Sequence, residues 1–288
     1  MGSNWMLLAG ASFALMGVWV KLAAQWFSSV ELVFYRSLFG LLVVLGTLAF
    51  SRGPGAMMRV FGPHLWLHLR RGAVGFVALA TFFYSLTVLP MSVAITLNYT
   101  SPLFLTMMTP LWLKEPIRPA QYAAVTLGFA GVLLLLRPWE VHGDLTAGLI
   151  GLFSGLMAGV AYVHVRALGQ LQEPEWRTVF WFAAVASAGG ALIASVHGWH
   201  SDILPHIDLL LVLGLTATVG QLAMTRAYRR GQTAVVAAFS YSTIIFSSLL
   251  DVIIWKEDIA ATPWAGMAIT AAAGVWAAML NIRTENTA

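Results

Sequence analysis

Residues 99–115 read YTSPLFLTMMTPLWLKE and residues 241–257 read YSTIIFSSLLDVIIWKE. Laid over each other at an offset of 142 residues (Lys114 onto Lys256), they match tyrosine to tyrosine at Tyr99 and Tyr241. Hydroxyls meet hydroxyls at Thr100-Ser101 and Ser242-Thr243, and Lys114-Glu115 meets Lys256-Glu257. The same offset brings Ser12 onto Ser154 and Gly17-Val18 onto Gly159-Val160. Leucine matches between apolar segments arise by chance; the rarer Tyr and Lys-Glu matches carry the comparison. The chain therefore reads as one design used twice, over residues 1–142 and 143–288.

The medium for that design follows from composition. Of 288 residues, 59% are hydrophobic and 10% charged, and mean hydropathy is +0.79. A soluble domain carries about 25% charged residues. Apolar runs of roughly 18 residues or more, the length that crosses a hydrocarbon core, recur along the chain. A net charge of +4 would suggest nucleic acid in a soluble protein. Here the arginines sit in short loops between apolar runs, so they report orientation in a lipid bilayer and no nucleic-acid partner. With no cysteine, neither a disulfide framework nor a thiolate metal site exists. The first run, Trp5 to Leu22, lacks a basic leader and a small-residue cleavage pattern, and reads as a retained span.

Breaks in apolar character place ten helices at 4–25, 30–50, 70–89, 92–113, 120–137, 144–164, 176–197, 206–229, 233–255 and 262–281. Turn and helix-start residues mark the breaks, among them Leu89-Pro90, Glu115-Pro116, Arg137-Pro138, Glu173-Pro174 and Thr262-Pro263. Arg52, Arg59, Arg70 and Arg71 lie between spans two and three. Lys114 and Arg118 follow span four, Arg166 and Arg177 span six, Arg226, Arg229 and Arg230 span eight, and Arg283 span ten. The alternate loops hold Lys21, Arg137 and Lys256. Cytoplasmic loops are rich in Lys and Arg, so both termini are expected in the cytoplasm of a bacterial-type inner membrane. Five spans per half is an odd number, so the second half enters the membrane inverted.

Inverted repeats provide two similar packings of one scaffold that face opposite sides, with a binding site near the midplane at the repeat interface. Ten spans, a five-plus-five duplication and a Lys-Glu pair closing the fourth span of each half (Lys114-Glu115-Pro116 and Lys256-Glu257-Asp258) resemble the drug/metabolite transporter superfamily, specifically its EamA-type exporters. Within it, the sequence is most similar to the YddG-like aromatic amino-acid exporter branch. The resemblance spans essentially the whole chain. It implies an all-α membrane fold with a basket of helices around a central cavity, and export of amino acids or related metabolites. Small multidrug pumps of the superfamily couple export to protons through a Glu in the first helix. No carboxylate stands between Trp5 and Val20, so uncoupled, facilitated export is expected.

Polar groups inside hydrocarbon are costly and tend to mark pathways. In span four Ser92, Thr96, Tyr99 with Thr100, and Leu103 share one helical face, and span nine repeats the pattern with Thr233, Ala237, Ser240 with Tyr241, and Ser248. The Ser and Thr hydroxyls either line a pathway or bond carbonyls one turn back. Tyr99 and Tyr241 fall in the outer and inner thirds of their spans, which suggests two aromatic constrictions on opposite sides of a chamber. Asn98 and Gln221 have donors and acceptors for an amino acid's carboxylate or ammonium, or else glue helices together. Trp19, Tyr84 and Tyr162 are candidates for an aromatic-tolerant lining. His164, inside span six, is a proton relay or an interfacial side chain. Arg36 lies about two turns into span two. It either snorkels or pairs with Glu31, or it grips a substrate carboxylate bidentately. Pro102 frees the carbonyl of Asn98; Ile244 stands opposite it in the second half, so only the first half should break.

No P-loop or dinucleotide motif appears, which argues against an ATP drive within the chain. An intramembrane enzyme would need a nucleophile–base pair or metal ligands at depth. There is no HExxH, and His64 and His68, though at metal-compatible spacing, read as loop histidines. A secondary exporter is the leading expectation, with multidrug efflux or a passive channel as alternatives. Neither cofactor nor metal is expected, the partners are a small-molecule substrate and lipid, and a monomer is favoured.

Overall fold

The computed structural model describes residues 4–52, 60–112, 119–137, 144–200, 203–230, 239–256 and 260–285. They form helices throughout: α1 (Trp5–Ala23), α2 (Ser29–Arg52), α3 (Leu65–Val88), α4 (Met91–Asn98), α5 (Ser101–Trp112), α6 (Pro119–Leu136), α7 (Leu145–Gln170), α8 (Glu175–His197), α9 (Ile207–Arg230), α10 (Ser242–Leu250) and α11 (Ala261–Glu285). Among the described residues seven helices are long and apolar enough to cross a bilayer, and α10 with the wider turn Asp251–Trp255 adds a shorter apolar one. Lys114-Glu115, Glu257, Asp258, Thr233 and Ala237 lie outside the described residues.

Local chemistry sets the ends. Ser28 and Glu31 cap α2 reciprocally: Ser28 N–H donates to Glu31 Oε2 (2.8 Å) and Glu31 N–H to Ser28 Oγ (3.3 Å). Asp144 accepts from Ala147 N–H (2.8 Å) at the start of α7. Gly198, at φ +94°, ends α8, a conformation that costs a residue without Cβ little.

Two boundaries differ from the sequence reading. Helix α3 begins at Leu65, so Arg70 and Arg71 belong to the helix and not to the preceding loop. The apolar lead-in Leu65, Trp66, Leu67 and Leu69 carries the helix past the charges that end a hydropathy window. Span four is broken as Pro102 requires: α4 stops at Asn98, and the Thr100 hydroxyl takes the carbonyl of Leu97 (2.6 Å). The break is not confined to the first half, because a turn at Tyr241 precedes α10 although Ile244 faces Pro102 in the alignment.

The halves interleave. Helix α1 packs on α9, α3 on α7, α2 on α8, and α6 on α11. The α6–α11 seam is made of small residues. A Cβ on Gly131 would meet Thr270 N at 2.8 Å and Gly266 O at 2.9 Å, so the backbones touch, as lipid-embedded helices with small residues do. A core of Leu32, Phe83, Leu86, Met91, Ile95, Leu97, Leu213 and Met267 fills the centre. Leu42, Leu149, Leu192, Leu211 and Ile253 are exposed on the helix surfaces. An apolar exterior of that extent belongs in lipid.

Candidate functional site

The break after α4 opens a cavity of about 160 Å³ walled by α1 to α5 and α7 to α10. Asn98, freed at the end of α4, donates through Nδ2 to Ser154 Oγ (3.0 Å), which donates to Gly151 O (2.6 Å). Thr243 Oγ1 donates to Ser240 O (2.9 Å), so its single proton is spent and Tyr99 OH is the donor in their 3.0 Å contact. Tyr241 OH donates to Tyr99 O (3.2 Å), and the two rings meet edge to face at 6.0 Å. The tyrosines therefore touch, and the expected pair of constrictions on opposite sides is corrected. Tyr241, 5% exposed, braces Tyr99 from behind.

A second chamber of about 250 Å³ adjoins the first through Arg36, Phe182 and Gln221 and runs between α2, α8 and α9 to Trp176, near the start of α8. Among the described residues no Asp or Glu lines either chamber. Two arginines do. Arg36 is 8% exposed and turned inward, which corrects both the snorkelling reading and the pairing with Glu31. Its guanidinium lies 5.9 Å from the Phe182 ring centroid, and that of Arg71 lies 4.1 Å from it. Nε of each, and Nη1 of Arg71, are buried without a hydrogen-bond partner. Gly75 makes room for this stack: a Cβ there would stand 3.0 Å from Phe182 Cε2 and 3.3 Å from Arg71 Nη1. Gly75→Ala should displace the ring and weaken substrate affinity several-fold, by about 1 kcal/mol of overpacking. A variant with wild-type KM and melting temperature would refute this.

Of the sequence-derived candidates, Asn98, Tyr99, Tyr162, Gln221 and Arg36 line the cavity. Trp19 packs against the core. Tyr84 is 39% exposed and is absent from the lining of both chambers; lipid tolerates an aromatic ring as readily as a cavity does. His164 uses Nδ1 on Val160 O (2.8 Å), a bond to its own helix. Pro102 acts through the break and is absent from the lining. Most Ser and Thr of the two broken spans bond their own helix: Thr96 reaches Ser92 O (2.7 Å) and Ser248 reaches Ile244 O (2.8 Å). Arg71 and Phe182 escaped the sequence reading. The first was assigned to a loop, and the second is one aromatic in an apolar run.

Carboxylates tie down both ends of α8. Beyond its C-terminus, His200 donates its backbone N–H to Glu31 Oε1 (2.8 Å) and faces Glu31 Oε2 through Nδ1 (2.7 Å). Before its N-terminus, Glu173 binds the Arg177 guanidinium and His68 Nε2 (3.3 Å). His68, 1% exposed, is thus no loop histidine. Burial pushes the Glu173 carboxyl up, but hydrogen bonds from Arg177 and His68 outweigh it and hold the group below the ordinary 4.5. A lowered value stabilises the fold above the unfolded-state value, and that contribution is lost as pH falls through the folded-state value. Wild-type stability should therefore drop below the ordinary carboxylate range, and Glu173→Gln should flatten that part of the pH–melting curve; an unaltered curve would reject the role.

Comparison with known proteins identifies the family. The sequence model of the EamA-like transporter family matches twice, over residues 1–137 and 145–279. A pseudopaline exporter of Pseudomonas aeruginosa is 29% identical over 255 residues, 87% of this chain and 86% of that protein. A riboflavin transporter of Rhizobium johnstonii is 29% identical over 288 residues, 99% of this chain and 93% of that protein. A crystal structure shares the fold with TM-score 0.63 at 19% identity, over 98% of this chain and 97% of that one.

Proposed function

The chain belongs to the EamA-like transporter family, and from that premise we propose that it is a secondary exporter moving small carboxylate-bearing metabolites, amino acids among them, by alternating access. It is a multi-pass membrane transporter and not an enzyme. The observation that carries the substrate reading is the cavity, which combines amide and hydroxyl groups with two inward-turned guanidiniums and, among the described residues, no carboxylate. Aromatic or otherwise neutral amino acids suit the Tyr99, Tyr162 and Phe182 walls. Relatives named for pseudopaline and riboflavin point to varied cargo within the family, so the YddG-like branch rests on those walls alone.

Ten spans in two inverted halves, a single chain as the transport unit, and cytoplasmic termini in a bacterial inner membrane complete the reading. Two features support the halves. Exchanging residues at the offset of 142 turns the α1–α9 contact into α7–α3 and leaves α2–α8 and α6–α11 as they are. It also carries Glu31 onto Glu173, the two residues that fasten opposite ends of α8, about 35 Å apart for 23 residues. One latch would close each side in turn. Counterflow of labelled phenylalanine and glutamate in proteoliposomes, with and without a pH gradient, tests this. Saturable, exchange-stimulated flux indifferent to the gradient is the expected result, whereas flux linear in concentration would make the protein a channel.

A further inference from the structure

Arg36 and Arg71 come from adjacent helices of the first half and stack against one ring, Phe182, from the second. Their distances to its centroid put the two guanidinium carbons no more than about 10 Å apart. Like charges at that range repel, and burial has taken water from three of their six nitrogens. Among the described residues neither guanidinium has a hydrogen-bond or ion-pair partner, and three of their nitrogens are buried and unsatisfied. Stacking on Phe182 orients the planar heads and spends none of their N–H groups. Such a pair is a receptor whose counter-charge arrives with the ligand.

We propose that the Arg36–Phe182–Arg71 stack is a two-point anion site, and that the metabolite carried has two acidic groups, one for each guanidinium. This rests on the exporter reading and narrows its substrate class to dicarboxylates. A zwitterion fits less well than a dicarboxylate. Its carboxylate satisfies one guanidinium, its ammonium adds a third positive charge, and the remaining lining groups (Asn98, Tyr99, Tyr162, Gln221, Thr243) are neutral. A dicarboxylate answers both arginines with charge-assisted, bidentate bonds. Each site then gains from the other's neutralisation, so both arginines should matter to affinity together.

The test uses the full chain. Thermal stabilisation of the purified protein is measured at constant ionic strength with phthalate, glutarate, phenyl phosphate, phenylalanine and phenethylamine, because a ligand of the folded state raises stability by an amount that grows with the logarithm of its concentration over Kd. The dicarboxylates should bind at least about tenfold more tightly than phenylalanine, a difference of about 1.4 kcal/mol, and phenethylamine should not stabilise. This comparison needs only the wild-type chain. Arg36→Gln and Arg71→Gln should each weaken dicarboxylate binding more than tenfold and erase the preference over phenylalanine. The proposal is overturned if phenylalanine binds as tightly as the dicarboxylates, if no acidic probe stabilises, or if the preference survives in both variants. Tighter binding of phenyl phosphate than of either dicarboxylate also overturns it and makes the ligand a phosphomonoester. Counterflow separates this from the parent reading: saturable phenylalanine exchange without dicarboxylate binding sinks the two-point site alone, whereas dicarboxylate binding without saturable exchange of any probe sinks the exporter.

Discussion

Replacing Asp251 by alanine should lower the melting temperature of the purified protein by about 5–10 °C and depress transport with it. Asp251 is fully buried in the turn that follows α10, and it serves the other half of the chain. Its carboxylate accepts Met91 N–H (3.1 Å) and Ser92 N–H (2.6 Å), the first two N–H groups of α4. Those groups have no partner within their own helix, and water does not reach them. The carboxylate also meets the positive end of the α4 dipole. Alanine leaves two buried donors unsatisfied, at about 1–3 kcal/mol each. Asparagine keeps one acceptor oxygen but turns an NH₂ toward the second donor, so it should fall between wild type and alanine. Because α4 delivers Ile95, Asn98 and Tyr99 to the cavity, loosening its start blurs the site. An alanine variant that melts with the wild type would show that the cap contributes nothing.

That cap illustrates where the sequence could be read and where it could not. Hydropathy locates helices because the bilayer demands apolar length, and rare residues such as Tyr99, Tyr241 and the Lys-Glu pairs carry the expectation of a duplication. Charged and amide groups within spans tend to turn inward, so Asn98 and Gln221 were legible as cavity candidates, and Arg36 as one beside a snorkelling alternative that its position alone could not decide. Aromatic residues were not. Lipid accepts Tyr84 as readily as a cavity accepts Tyr162, and with lipid-facing and core-facing sides equally apolar, no amphipathic pattern tells them apart. Arg71 was hidden for a different reason: charge lowers a hydropathy window and moves the inferred helix start past the residue that matters. Asp251, Glu31 and Glu173 act across the halves, on partners 160, 169 and 105 residues away. No local spacing announces such pairings.

The two latches at the ends of α8 should control which face of the cavity is open, and the absence of cysteine makes this directly measurable. Ala158 lines the cavity, so Ala158→Cys provides a single reporter for a membrane-impermeant maleimide applied from either side of sealed vesicles. Glu31 is fully buried and accepts from Ser28 N–H and Oγ–H and from His200 N–H. Glu31→Gln keeps part of the cap but removes the charge that holds His200, whose side chain is half exposed. The partly solvated pair is worth less than a buried one. Loss of about 1–2 kcal/mol from the closed state still shifts its ratio to the open state by about 5–30-fold. Labelling from the His200 side should then accelerate by a similar factor, with no gain from the other side. Glu173→Gln, which releases His68 and Arg177, should do the reverse. Equal acceleration from both sides by either variant would mean general loosening of the bundle. Slower labelling from the freed side would mean that the carboxylates hold the cavity open and do not shut it. Either result removes the physical basis for assigning one latch to each face, because the argument requires that breaking one contact bias one exit only.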